Sequence, residues 1–103
     1  MHFLVIAYDG ADEQAPARRL AARERHLASI ERLKQEGRAL YGAALVDEKG
    51  SMIGSIVLYD FDSLEELDGY LKTEPYVVEG VWKRIEVKPV SYTHLTLPTI
   101  YSV

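Results

Sequence analysis

Of the side chains in this sequence, His26 is the one whose type and position best suit chemistry. An unperturbed imidazole titrates near pH 6.5, so it can take up or release a proton at neutral pH without a cofactor. It lies within Arg23–Leu40, RERHLASIERLKQEGRAL. There Leu27, Ile30 and Leu33, with Leu20 a heptad earlier, make an apolar stripe at helical spacing. His26 stacks in sequence with Ile30 and Leu33 at i+4 and i+7, at the edge of that stripe. The plainer use of such a histidine is packing against its neighbours. Arg23, a turn earlier on roughly the same side, suits a carboxylate or phenolate, or serves only as a solvated helix charge. Ser55, between Gly54 and Ile56, offers a hydroxyl, although small residues also relieve crowding beneath a helix. Tyr76 belongs, with Tyr8, Tyr59 and Trp82, to a set of rings that can line a pocket or simply fill a core.

Other chemistries are less well supported. With no cysteine among 103 residues, disulfides, thiolate metal sites and a cysteine nucleophile are excluded. No G-x-S-x-G surrounds Ser55. No His-x-x-x-His or Glu-x-x-His spacing suggests a metal, and no glycine-rich run before a helix suggests a nucleotide. We therefore expect neither metal nor cofactor. A net charge of −4 argues against nucleic acid and anionic membranes as partners. No segment approaches the roughly 20 apolar residues that span a bilayer. The start MHFLVIAYDG lacks a basic n-region, so a cytoplasmic protein is expected.

The positioning elements follow from periodicity. His2–Tyr8 reads as a buried strand ending at the turn signal Asp9-Gly10. A helix runs from about Ala15 to Glu36, with Glu31 able to pair with Lys34 or Gln35, and Gly37 stops it. Arg38–Val46 and Met52–Asp60 form a hairpin across a polar turn. Ser63 and Glu66 open a second helix, Leu64–Lys72, expected to bury Leu64, Leu67 and Leu71. Thr73-Glu74-Pro75 breaks it, Tyr76–Gly80 fits one extra turn, and Val81–Val90 is the last strand. The order is β-α-β-β-α-β, an α+β ferredoxin-like fold: a four-stranded antiparallel sheet with two helices on one face. Leu4, Ile6, Tyr8, Ile56, Leu58 and Trp82 are expected on the bare face, and an apolar face of that size predicts a homodimer packed sheet on sheet. Residues 91–103, SYTHLTLPTIYSV, carry no charge and no helical period. They read as a vector- or adapter-derived tail, the other reading being an edge strand.

With this layout, residues 1–90 resemble the YciI-like proteins, the YCII-related domain. The matching pieces are Ala7-Tyr8-Asp9, Arg23-Glu24-Arg25-His26-Leu27, Glu36-Gly37-Arg38 with Leu40, Gly54-Ser55, Glu74-Pro75-Tyr76-Val77 with Gly80-Val81, and Val87-Lys88-Pro89. The resemblance implies a dimeric α+β barrel with a pocket holding a histidine and an aspartate as an acid–base pair. Carried over, these are His26 and Asp9, with Asp9 orienting the ring or binding substrate. The family's Asp-Pro after the second helix is Glu74-Pro75 here. The added methylene would shift the carboxylate by about an ångström, an error that can cost catalysis about a hundredfold. Arg23, Ser55, Glu74 and Tyr76 are the candidate substrate-binding residues. The functions that follow are a cofactor-independent isomerase or lyase acting on a small aromatic or lactone compound, a non-catalytic ligand-binding or accessory module with the same pocket, or a purely structural dimerisation domain.

Overall fold

The computed structural model describes residues 1–92. Its elements are β1 (His2–Asp9), α1 (Ala15–Gln35), β2 (Ala39–Val46), β3 (Met52–Asp60), α2 (Leu64–Leu71), α3 (Pro75–Val78) and β4 (Trp82–Val90). Four strands form one antiparallel sheet in the order β2-β3-β1-β4. This is the α+β ferredoxin-like arrangement that the periodicity predicts. The assignment of residues 91–103 as a tail, with the alternative edge strand, falls almost wholly outside the described residues.

Strand alternation sorts the two faces. Phe3, Val5 and Ala7 of β1 are buried, as are Ser55, Val57 and Tyr59 of β3, and these point toward the helices. Leu4, Ile6 and Tyr8 pair with Leu58, Ile56 and Gly54 on the other face, which no described helix covers. Trp82 departs from the expected pattern. It is 5% exposed and sits on the helix side, within the core, because the β1–β4 register shifts between Tyr8 and Asp9. A bulge moves a side chain to the opposite face without any change in sequence pattern. Gly54 allows β1 and β3 to come close: a Cβ there would lie 2.3 Å from the Ala7 carbonyl oxygen.

The long helix is turned by about one residue from its apolar spacing, roughly 100°. Its buried face is Ala15, Arg19, Ala22, His26 and Leu33, whereas Leu20 is 73% exposed and Leu27 46%. Polar residues with internal partners hold the core-facing positions, and Ala22 lets the helix approach the sheet. The helix ends as expected at Gly37, whose φ of 76° is in the left-handed region that favours glycine. Gln35 donates to Glu31 at 3.4 Å. In α2 the Ser63 hydroxyl accepts from the Glu66 amide. Leu67 and Leu71 are buried there, but Leu64 is half exposed and lies outside the core cluster.

Candidate active site

His26 faces inward from the middle of α1, 7% exposed. Its partner comes from the connection between α2 and α3. Glu74 has an extended backbone (φ −61°, ψ 126°) and caps α3, its Oε1 accepting from the Tyr76 amide at 3.1 Å. Pro75 occupies the first position of that helix, where it needs no amide hydrogen. The cap turns the Glu74 carboxylate into the core, fully buried. Its Oε1 also lies 2.5 Å from His26 Nδ1, and its Oε2 accepts from the Tyr70 hydroxyl at 2.6 Å. A buried carboxylate surrounded by donors is an acceptor, so Nδ1 carries a hydrogen toward it. Nε2, across the ring, has no partner among the described side chains and is not one of the sealed, unpartnered polar atoms, so it keeps access to the cleft that His26 lines.

Aromatic rings hold the imidazole in place. Tyr76 stacks on it in parallel (centroids 3.9 Å, planes 7° apart), and the Trp82 ring meets it edge-on at 5.7 Å. Over the Tyr76 ring, 4.9 Å from its centroid, lies the guanidinium of Arg19. Arg19 Nη1 donates to both oxygens of Asp9, at 3.1 and 3.0 Å, and both side chains are nearly buried. Its Nη2 donates to Ser55 Oγ, which also accepts from Trp82 Nε1. Arg19 Nε is buried with no partner among the described residues.

These groups border a cleft of about 380 Å³ between α1 and the sheet. Arg19, Arg23, His26, Ser55 and Tyr76 supply its polar and aromatic lining, and Leu27, Ile30 and Met52 part of its apolar lining. Arg23 makes no hydrogen bond or ion pair among the described residues, unlike Arg19. The cleft therefore presents more positive than negative charge. Part of the exposure of Leu27 is exposure to this cleft. No group of three or more potential ligands that could hold a metal occurs among the described residues.

The structure thus gathers His26, Arg23, Ser55 and Tyr76 around one cleft, but it does not pair Asp9 with His26. Asp9 partners Arg19, and the histidine's carboxylate is Glu74, whose extra methylene still lets it reach Nδ1. Arg19 and Tyr70 escape the sequence reading. Arg19 is seven residues before His26, hence on the same helix face, a signal obscured by reading the inner face from apolar residues alone. Tyr70 carries no comparable signal.

The same buried tyrosines set an alkaline limit. Desolvation by burial, reinforced by the neighbouring Tyr70 and by the Glu74 carboxylate, pushes the Tyr59 hydroxyl far above its ordinary value. Burial and the Glu74 carboxylate do the same to Tyr70. Both stay protonated when folded, whereas the unfolded chain releases both near pH 10. Their contribution is complete below that pH and lost as pH rises, by about 1.4 kcal/mol per pH unit for each tyrosine. Urea midpoints at pH 9 and 11 are expected to show this loss; equal midpoints would contradict it.

Comparison with known proteins agrees with this architecture. Residues 1–91 match the YCII-related domain family. The chain is 35% identical over 95 residues to Protein YciI of Escherichia coli O6:H1, covering 86% of this chain and 95% of that protein. It is 34% identical, with the same coverage, to an uncharacterised protein of Haemophilus influenzae. Among solved structures, it is similar to the 5-chloro-2-hydroxyhydroquinone dehydrochlorinase of Burkholderia phenoliruptrix AC1100, in complex with 2,5-dihydroxybenzoquinone. That similarity has a TM-score of 0.78 at 20% identity, over 90% of this chain and 96% of that one. An antibiotic biosynthesis monooxygenase shares the fold at a TM-score of 0.51 and 18% identity, over 88% and 98%.

Proposed function

The chain belongs to the YCII-related domain family, and we propose that it is a small cofactor-independent enzyme in which His26 moves a proton on a small planar organic anion. One observation carries this reading: His26 has one ring nitrogen held by a buried carboxylate and the other left to a cleft. Glu74 orients the ring and stabilises the imidazolium formed when Nε2 takes a proton. Arg23, with Arg19 behind it, holds the substrate's carboxylate or phenolate, and the rings around the site suit an aromatic or lactone body. Asp9 acts through Arg19, keeping the guanidinium in place. Isomerisation returns the proton elsewhere on the substrate. Elimination expels a leaving group with its electron pair as the carbon–carbon double bond forms. The dehydrochlorinase with the same fold, bound to a quinone, favours the second. No described helix is long and apolar enough to cross a membrane, and the cytoplasm is the proposed site of action.

The uncovered sheet face supports a homodimer packed through Leu4, Ile6, Ile56 and Leu58. Association through such a face would bury surface that a monomer leaves to water.

The test is turnover of a panel of small lactones and halogenated phenols by dimeric protein, its mass confirmed by sedimentation. His26→Asn is expected to lower the rate about 10²- to 10⁴-fold while the dimer persists. Undiminished turnover in the variant would end the acid–base reading. Panel members that bind without turnover would make the chain a ligand-binding module instead.

A further inference from the structure

The hydrogen bonds of the site continue past Glu74. The Tyr70 hydroxyl lies 2.6 Å from Glu74 Oε2 and 2.9 Å from Ser29 Oγ. Tyr70 has one proton, and an ionised carboxylate only accepts. The Tyr70 proton therefore goes to Glu74, and Ser29 must donate to the Tyr70 oxygen. The direction of the chain follows: Ser29 to Tyr70, Tyr70 to Glu74, with His26 Nδ1–H arriving at the other carboxylate oxygen. Ser29 lies on α1 one turn beyond His26 and borders a second groove on the protein, beside Arg25, Arg32 and Thr73. The relay thus runs from one flank of α1 to the other, beneath the ring that faces the first cleft.

We propose that Tyr70, backed by Ser29, is a positioning residue that sets how strongly Glu74 draws on the His26 ring, and so keeps Nε2 available as the atom that accepts a proton. This rests on the reading of His26 as the proton carrier. Two oxygens share the work on Glu74. Oε1 takes the Tyr76 amide and the ring, while among the described residues Oε2 has only Tyr70. Removing that donor leaves a buried, charged oxygen without a partner, and the carboxylate must then lean harder on the ring and the Tyr76 amide at its other oxygen. A hydrogen bond to a charged form favours that form, so its loss shifts charge balance toward a protonated imidazole. An imidazolium cannot act as a base. Tyr70 is suited to the task because burial and the Glu74 charge keep its hydroxyl protonated.

The groups around His26 and Glu74 are Arg19 and Arg23 on α1, Asp9 at the end of β1, Tyr59 on β3, Tyr70 on α2 and Tyr76 on α3. β4 contributes the Trp82 ring, which does not titrate. Arg19 is neutralised by Asp9, so Tyr70 is the one hydroxyl among these that touches the carboxylate.

The experiment is a ¹⁵N NMR titration of the His26 ring in the full chain, in wild type, Tyr70→Phe and Ser29→Ala. Tyr70→Phe keeps the ring that packs against Tyr59 and Phe61, and the amide spectrum reports whether the fold is kept. The expected result is a titration midpoint about one pH unit higher in Tyr70→Phe, with a smaller rise in Ser29→Ala. With a substrate from the panel, the base-limited limb of the pH–rate profile moves the same way. Ring shifts and midpoint identical to wild type in Tyr70→Phe overturn the proposal, whatever turnover shows. A lowered midpoint overturns it as well. A raised midpoint upholds it even where no substrate is found, and it is then the acid–base reading of His26 that fails.

Discussion

Truncating Glu74 to alanine is expected to lower the unfolding free energy by about 3–5 kcal/mol, as removing one member of a buried, hydrogen-bonded pair does. Three donors would lose their acceptor together: His26 Nδ1, the Tyr70 hydroxyl and the Tyr76 amide. Each buried polar group left unpartnered costs about 1–3 kcal/mol. Glu74 is fully buried, so water cannot replace the carboxylate without rearrangement. Loss of the cap frees α3, whose Tyr76 ring stacks on His26. For a domain of this size the change corresponds to a fall in Tm on the order of 15 °C. Glu74→Gln keeps volume and one acceptor and should cost less. Adding His26→Ala to Glu74→Ala should cost less than the two changes separately, because the second removes a donor already orphaned. A Glu74→Ala protein within about 1 kcal/mol of wild type would show that the carboxylate is not the support this geometry makes it.

The contrast between what periodicity reveals and what it hides is sharpest around this residue. Element order, hairpin and sheet faces are local matters, set by alternation in His2–Asp9 and Met52–Asp60 and by caps at Ser63 and Gly37. The site depends on two features without a local signature. One is the helix rotation that exposes Leu20 and turns Arg19 and His26 inward. Apolar residues fix a helix's inner face only when that face is apolar throughout, and here it is partly the site itself. The other is the bulge that takes Trp82 to the helix side, where its indole donates to Ser55. A shifted register leaves no mark on alternation. The resemblance sets Asp9 beside His26, but the carboxylate that hydrogen-bonds the ring is Glu74, 48 residues away, and its position depends on how α3 is capped.

Asp9 then needs its own account, and its replacement is the second large effect. Asp9→Asn should destabilise the fold by about 3–5 kcal/mol, because Arg19 would keep its charge inside the core without a counter-charge. Guanidinium groups do not deprotonate to escape such a position. The two side chains are 9% and 4% exposed, so solvent screening gives little relief. Arg19→Met alone strands the Asp9 carboxylate in the same way. Removing both charges, in Asp9→Asn with Arg19→Met, should recover much of the loss, since no uncompensated charge is then left in the core. The double variant, measured by urea unfolding beside the two single ones, yields the coupling directly. Additive losses would mean that the two charges are solvated separately. Such a result would also detach Asp9 from the site, because its route to His26 runs through the Arg19 guanidinium and the Tyr76 ring beneath it. A large coupling would make Asp9 part of the support of the ring, through two intermediaries instead of by contact.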